Sequence, residues 1–177
     1  MDPSKWNYTT DLCSACSTGN LQRVKYWIDQ KVNLNRIDKN GYTPLFKAVL
    51  NGQLEVIQLL IEQNVNVNKV SKNGSTPLFI AAWYGHLEIV KLLIKNKAYI
   101  NKTNKNGQTP LFAAAENGHL KIVQLLIEHN VYINKADKDG WTPLYVAADH
   151  GHLKIVKLLL KHNANINKAV IDIYNCD

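Results

Sequence analysis

The chain has 177 residues, 46% hydrophobic and 20% charged, with 21 Lys and Arg against 14 Asp and Glu for a formal net charge of +7. That length fits one ordinary domain or one short repeat array with a continuous core, and the basic surplus leaves acidic proteins, nucleic acid and anionic membranes open as partners. Three cysteines, Cys13, Cys16 and Cys176, exclude a disulfide framework, and no apolar run approaches the roughly 18 residues that span a bilayer.

Residues 1–6 lack the basic head and apolar run of a secretory signal, so the expectation is a reduced, cytoplasmic or nuclear protein. Self-similarity organises everything else. Glycines fall at Gly19, Gly52, Gly85, Gly118 and Gly151, a constant step of 33 residues, which marks a repeat array. Leucines keep the same step at Leu12, Leu45, Leu78, Leu111 and Leu144, as do asparagines at Asn35, Asn68, Asn101, Asn134 and Asn167. The expected units are 5–37, 38–70, 71–103, 104–136 and 137–169, preceded by a lead of residues 1–4 and followed by a tail of residues 170–177.

The first unit departs from the others. It reads Thr10-Asp11 where they have Thr-Pro, and it places Arg23 in a column otherwise filled by Val56, Ile89, Ile122 and Ile155. Such polarity suits the outer face of a terminal repeat. Cys13 and Cys16 have the spacing of half a zinc site, but no second pair completes it, so they read as small buried helix residues with no metal expected.

The second unit shows the internal pattern. Asp38-Lys39-Asn40-Gly41 is turn chemistry, because Asn-Gly accepts the positive φ of a tight turn. Thr43 then serves as N-cap and Pro44 enters the first helical turn, where its missing N–H costs nothing. The short helix ends at Gly52. A second helix runs from Leu54 to about Gln63, apolar except for the stripe Glu55, Gln58 and Glu62. Equivalent stripes recur at Glu88, Lys91 and Lys95, at Lys121, Gln124 and Glu128, and at Lys154, Lys157 and Lys161. A helix with so narrow a wet face must be covered by neighbours, and stacking of units provides the cover.

The third, fourth and fifth units repeat Thr-Pro-Leu at Thr76-Pro77-Leu78, Thr109-Pro110-Leu111 and Thr142-Pro143-Leu144. With Gly85-His86-Leu87-Glu88-Ile89-Val90 in the second halves, residues 5–169 resemble the ankyrin repeat family. The resemblance implies an all-α solenoid of five stacked helix-turn-helix units joined by short β-hairpin loops. Two departures stand out. The family's His after Thr-Pro-Leu is replaced by Phe46, Phe79, Phe112 and Tyr145, and its Gly after the second helix by Asn64, Lys97, Asn130 and Asn163. A left-handed Lys97 should cost roughly 1 kcal/mol.

The fifth unit has no polar outer face. Its exposed end is covered by the tail, by another chain or by further repeats, or it supports self-association. Histidines His86, His119 and His152 occupy a framework column, and the residual His129, His150 and His162 form no ligand set. No phosphate loop, nucleophile elbow, zinc-protease or calcium-loop pattern is present, so no catalytic residue and no cofactor are expected.

The resemblance further implies that partners contact the hairpin tips and the inner ends of the first helices. The varying positions there are Tyr42, Leu50, Asn51, Trp83, Tyr84, Glu116, Asn117, Trp141, Asp149 and His150. Their aromatics are of the kind that anchor interfaces. A column of hairpin lysines, Lys39, Lys72, Lys105 and Lys138, would run at a step of about 10 Å. The expected function is therefore a non-catalytic adaptor or scaffold that binds a protein partner, one of acidic character being compatible with the lysines. The alternative is a polyanion such as nucleic acid on the lysine-rich edge.

Overall fold

A computed structural model describes residues 8–169. The expected lead of residues 1–4 and tail of residues 170–177, with Cys176, lie outside the described residues. Ten α-helices follow in pairs: α1 (Tyr8–Thr18), α2 (Leu21–Asp29), α3 (Pro44–Leu50), α4 (Leu54–Glu62), α5 (Pro77–Trp83), α6 (Leu87–Lys95), α7 (Pro110–Glu116), α8 (Leu120–Ile127), α9 (Pro143–Asp149) and α10 (Leu153–Lys161). A 3₁₀ turn, Ile166–Ala169, ends the described chain. The odd-numbered helices pack side by side in one layer and the even-numbered helices in a second.

Local chemistry starts each first helix. The Thr43, Thr76, Thr109 and Thr142 hydroxyl oxygens accept from the N–H groups of Phe46, Phe79, Phe112 and Tyr145 at 3.1–3.2 Å. Each satisfies one of the free N–H groups that open a helix, and Pro follows in the first turn. The helices then approach closely because Ala48, Ala81, Ala114 and Ala147, all 0% exposed, leave room for it. Leu45, Leu78 and Leu111 fill the same layer, and Val56, Ile89, Ile122 and Ile155 fill the seam with the second helices. The stripe residues Glu55, Gln58, Glu62 and their equivalents are all exposed.

The connections between units are hydrogen-bonded turns, and no strand occurs among the described residues. The Asp38 N–H donates to the Tyr42 carbonyl and the Gly41 N–H to the Asp38 carbonyl, both at 2.9 Å. The Asp38 carboxylate accepts from the Asn40 and Tyr42 N–H groups at 2.8 and 2.9 Å. Arms tied this way are too short for a ladder. Gly41 is left-handed, with φ 81°, whereas Asn40 is not.

The units are joined across their stacking direction by a second set of bonds. The Asn35, Asn68, Asn101 and Asn134 side-chain oxygens accept from the N–H groups of Asn66, Tyr99, Tyr132 and Asn165 in the following unit, at 2.7–2.9 Å. On the other layer, His119 Nε2 and His152 Nε2 lie 2.9 and 3.0 Å from the Trp83 and Glu116 carbonyls of the preceding unit. Gln53 Nε2 does the same to the Ser17 carbonyl at 3.3 Å. At Gly85, an added Cβ would fall 2.6 Å from the His119 ring, so glycine leaves the space this contact needs.

The two ends of the stack differ. Arg23 is exposed on the first unit and lies 4.0 Å from Asp11. On the last unit Ala148 is exposed although its equivalents Val49, Ala82 and Ala115 are 0% exposed, and Leu153 is 69% exposed. The expected left-handed residues Asn64, Lys97, Asn130 and Asn163 have φ between 55° and 63°, and Lys31, which occupies the same column, has φ 51°. Replacing Lys97 by Gly is expected to raise stability by about 1 kcal/mol, because the left-handed strain disappears. Thr76→Ala is expected to lower it by about 1 kcal/mol through loss of the cap. Urea unfolding midpoints at constant m-value read both.

Candidate functional site

Apart from the stripe of the second helices and the exposed Tyr99 and Tyr132 that follow α6 and α8, the side chains that the framework leaves available lie on the hairpins and at the C-terminal ends of the first helices. Residues 51, 84, 117 and 150 occupy one column there, and they do not behave alike. The Asn51 Nδ2 donates to the Lys47 carbonyl at 2.9 Å and also to the Ser17 hydroxyl of the preceding unit. The Asn117 Nδ2 donates to the Ala113 carbonyl at 2.9 Å, and His150 Nδ1 lies 2.9 Å from the Val146 carbonyl. All three turn back on their own helix, satisfying carbonyls that a helix end leaves open. Tyr84 has no donor placed to do this. Its ring stays 52% exposed, stacked on His86 with 6.0 Å between centroids.

The remaining aromatics divide by depth. Trp83 is half-buried and stacks on Phe79 with centroids 6.0 Å apart, so part of it belongs to the core. Trp141 is 40% exposed and leans on Tyr145 at 5.6 Å. Tyr42 is half-buried, stacked on Phe46 at 4.8 Å, with the Lys47 ammonium 4.8 Å from its ring centroid. Lys47 also lies 3.8 Å from Asp38. Leu50 is half-buried. The aromatic residues that replace histidine in the Thr-Pro-Leu motif thus give each hairpin aromatic a surface to rest on.

A groove of about 300 Å³ opens between the hairpins of the third and fourth units and helix α5. Ile80, Trp83 and Tyr84 form its apolar wall, and Asn73, Asn106 and Gln108 line its polar rim. That volume is at the low end for a small-molecule pocket and suits one inserted side chain better.

Charge is distributed unevenly around the groove. Lys39, Lys72, Lys105 and Lys138 are all exposed, and the Lys72 ammonium donates to the Lys39 carbonyl at 2.7 Å. A second exposed column, Arg36, Lys69, Lys102 and Lys135, runs three residues before the first; its 33-residue step was legible in the sequence but did not enter the candidate set. Acidic residues gather instead at the fifth unit, where Asp139 and Asp149 are exposed, Asp149 lies 3.8 Å from His150, and Asp137 accepts the Asp139 and Trp141 N–H groups at 3.0 and 2.9 Å. Glu116 is half-buried beside them with one carboxylate oxygen buried and unpaired.

Glu116, His86 and the thiols Cys13 and Cys16 have displaced pKa values. Burial raises that of Glu116, nearby His150 lowers it and Asp137 raises it again. Burial lowers that of His86 and neighbouring His119 adds to the effect, while the ring faces the Leu50 carbonyl without closing a well-formed hydrogen bond. Cys13 and Cys16 are buried free thiols on α1. Burial pushes the Cys13 thiol up to about 11 and Cys16 upward as well, which keeps both protonated and poor as nucleophiles or ligands. Among the described residues no group of three His, Cys, Asp or Glu is arranged to hold a metal, and no helix is long and apolar enough to cross a membrane.

The displacements at His86 and Glu116 make stability depend on pH between acid and neutral values, with opposite signs. For His86 the unfolded chain binds the proton more readily, so its contribution is complete above the ordinary value of 6.5 and is lost as pH falls through the folded value. His86→Gln should therefore flatten the decline of the unfolding midpoint below pH 6.5. For Glu116 the folded chain takes the proton first, so the ionised form opposes folding at neutral pH. Glu116→Gln should raise the midpoint at neutral pH, and the gain should vanish once the carboxyl is protonated in both states, below 4.5. Thermal or urea unfolding at several pH values measures each slope.

The family profile described as Ankyrin repeats (3 copies) matches residues 12–104 and 96–170. A sequence comparison with curated proteins returns no match. Proteins of the matched kind are generally protein-interaction modules and typically lack catalytic activity. With the repeated Thr-Pro-Leu caps, the stacked helix pairs and a profile that matches most of its length, the chain belongs to the ankyrin repeat family.

Proposed function

We propose that the chain is a non-catalytic adaptor that binds a protein partner through its hairpin tips and the inner ends of α3, α5, α7 and α9. The observation that carries this reading is the exposure of Tyr84 and Trp141, 52% and 40%, at a first-helix end and a hairpin; Tyr99 and Tyr132, 61% and 65% exposed, follow the second helices and lie outside this surface. Exposed aromatics beside a groove lose little side-chain entropy on binding and bury much apolar area, which makes them effective anchors. Tyr42, Leu50 and Trp83 extend the same surface. Asn51, Asn117 and His150 take part as capped, pre-ordered polar groups, and Glu116 and Asp149 supply its negative end.

The alternative, nucleic acid laid along Lys39, Lys72, Lys105 and Lys138, meets Asp137 and Asp139 flanking Lys138 at the last hairpin. That placement weighs against a long polyanion. Self-association is a separate proposal for the fifth unit, supported by the exposure of Leu153, Leu160 and Ile166; sedimentation would read it as a concentration-dependent dimer. Buried thiols at Cys13 and Cys16 suit a reducing compartment, cytoplasm or nucleus.

Tyr84→Ala and Trp141→Ala are the clean tests, because neither ring is buried. Together they are expected to weaken partner binding by about 2 kcal/mol or more while moving the unfolding midpoint little. Trp83→Ala is expected to do both, weakening binding and destabilising the fold by about 1 kcal/mol or more through lost packing on Phe79. Partner affinity by calorimetry, set beside urea unfolding, separates the effects; unchanged affinity in the double variant would refute the assignment.

A further inference from the structure

We infer that the groove between the third and fourth units receives a short acidic protein segment, with one apolar side chain inserted between Trp83 and Tyr84 and carboxylates on either side facing lysines. This rests on the interaction surface proposed above and assigns its partner's chemistry. The hairpins that flank the groove, residues 69–75 and 102–108, carry Lys69, Lys72, Lys102 and Lys105 and no carboxylate. In the other hairpins the position that starts the turn is Asp38 or Asp137, whereas here it is Ser71 or Asn104. Asn104 ties its turn with the same pair of bonds, from the Asn106 and Gln108 N–H groups at 2.9 and 3.1 Å. The turn therefore keeps its shape without the negative charge.

All four lysines are exposed. Lys72 directly precedes the rim residue Asn73, and Lys105 sits between Asn104 and Asn106, both of which line the groove. The Lys72 ammonium itself turns back onto the Lys39 carbonyl of the preceding hairpin, so these charges surround the groove without lining it, and the two hairpins that carry its rim are the ones with no carboxylate to offset them. A short acidic segment with an apolar anchor matches this layout, because the anchor gains from desolvation and the flanking charges steer and orient it. A long polyanion matches it less well. At the next hairpin Lys135 and Lys138 are balanced by Asp137 and Asp139, with Glu116 at the end of α7 and Asp149 at the end of α9 adding further negative charge. The amide rim of Asn73, Asn106 and Gln108 offers both donors and acceptors to the backbone of an extended segment.

The test is selection of displayed random peptides of about twelve residues on the intact chain and on Lys72→Glu/Lys105→Glu, with Lys69→Glu/Lys102→Glu as a second reversal should the first disturb folding. The expected result is enrichment of an aromatic or aliphatic residue flanked by Asp or Glu. Binding of such a peptide should fall about tenfold on charge reversal and several-fold as salt rises from about 0.05 to about 0.5 M. The reversed protein should select Lys or Arg in the same places. Peptides that need Tyr84 but ignore the charge reversal would overturn the acidic assignment and leave the interaction surface standing. Peptides indifferent to Tyr84→Ala and Trp141→Ala as well would overturn both. Failure to enrich any peptide, or displacement of the selected peptide by oligothymidylate at lower concentration than by its own unlabelled form, would also overturn the acidic-segment inference.

Discussion

A helix such as α4, α6 or α8 shows water one narrow stripe of three polar positions and is apolar over most of the remaining circumference. Burial of that surface is worth roughly 25 cal/mol per Å², far more than a single pair of short helices can recover by folding on itself. Each pair therefore depends on the next for cover. The stacking contact is the interaction on which the molecule rests, and the cross-unit bonds fix its register. Asn35, Asn68, Asn101 and Asn134 reach one unit forward on the hairpin side, and Gln53, His119 and His152 reach one unit back on the helix side. These bonds satisfy backbone groups that a longer hairpin or a longer helix would have satisfied internally.

Because stacking consumes the interior and both faces of every middle unit, residue type varies between units mainly at the partly exposed positions on hairpins and helix ends. The column of residues 51, 84, 117 and 150 shows how side-chain chemistry decides exposure there. Where the side chain carries a nitrogen at the right reach, it folds back onto a helix-end carbonyl. Where it is tyrosine, it cannot, and the ring is left to solvent. Exposure of Tyr84 is thus a consequence of its chemistry and position together, and the neighbouring Trp83 and Ile80 turn it into one wall of a groove.

Electrostatics follows the same division. The framework positions are neutral or paired, as Lys47 is with Asp38, and most of the exposed charge lies on hairpins and on the stripe of the second helices. Replacing a turn-starting Asp by Ser71 and Asn104 removes negative charge at the two hairpins that border the groove, while the fifth unit retains its acids. Among the hairpins of the second to fifth units, the two that border the groove thereby carry lysines and no carboxylate, while the last balances its lysines with Asp137 and Asp139.

The unit length, helix starts at Thr-Pro, the wet stripes and the left-handed Asn and Lys residues were all legible in the sequence. Each depends on chemistry within a few residues repeated at a fixed step, so a period in the sequence is enough to specify it. The candidate surface was legible only as a set of positions. Which of them are spent on capping, as Asn51, Asn117 and His150 are, how deeply Trp83 sinks against Phe79, and how burial displaces Glu116 and His86 were decided by tertiary packing. Those outcomes depend on distances between residues about 33 positions apart, and on how much water the neighbouring unit excludes, neither of which a local pattern encodes.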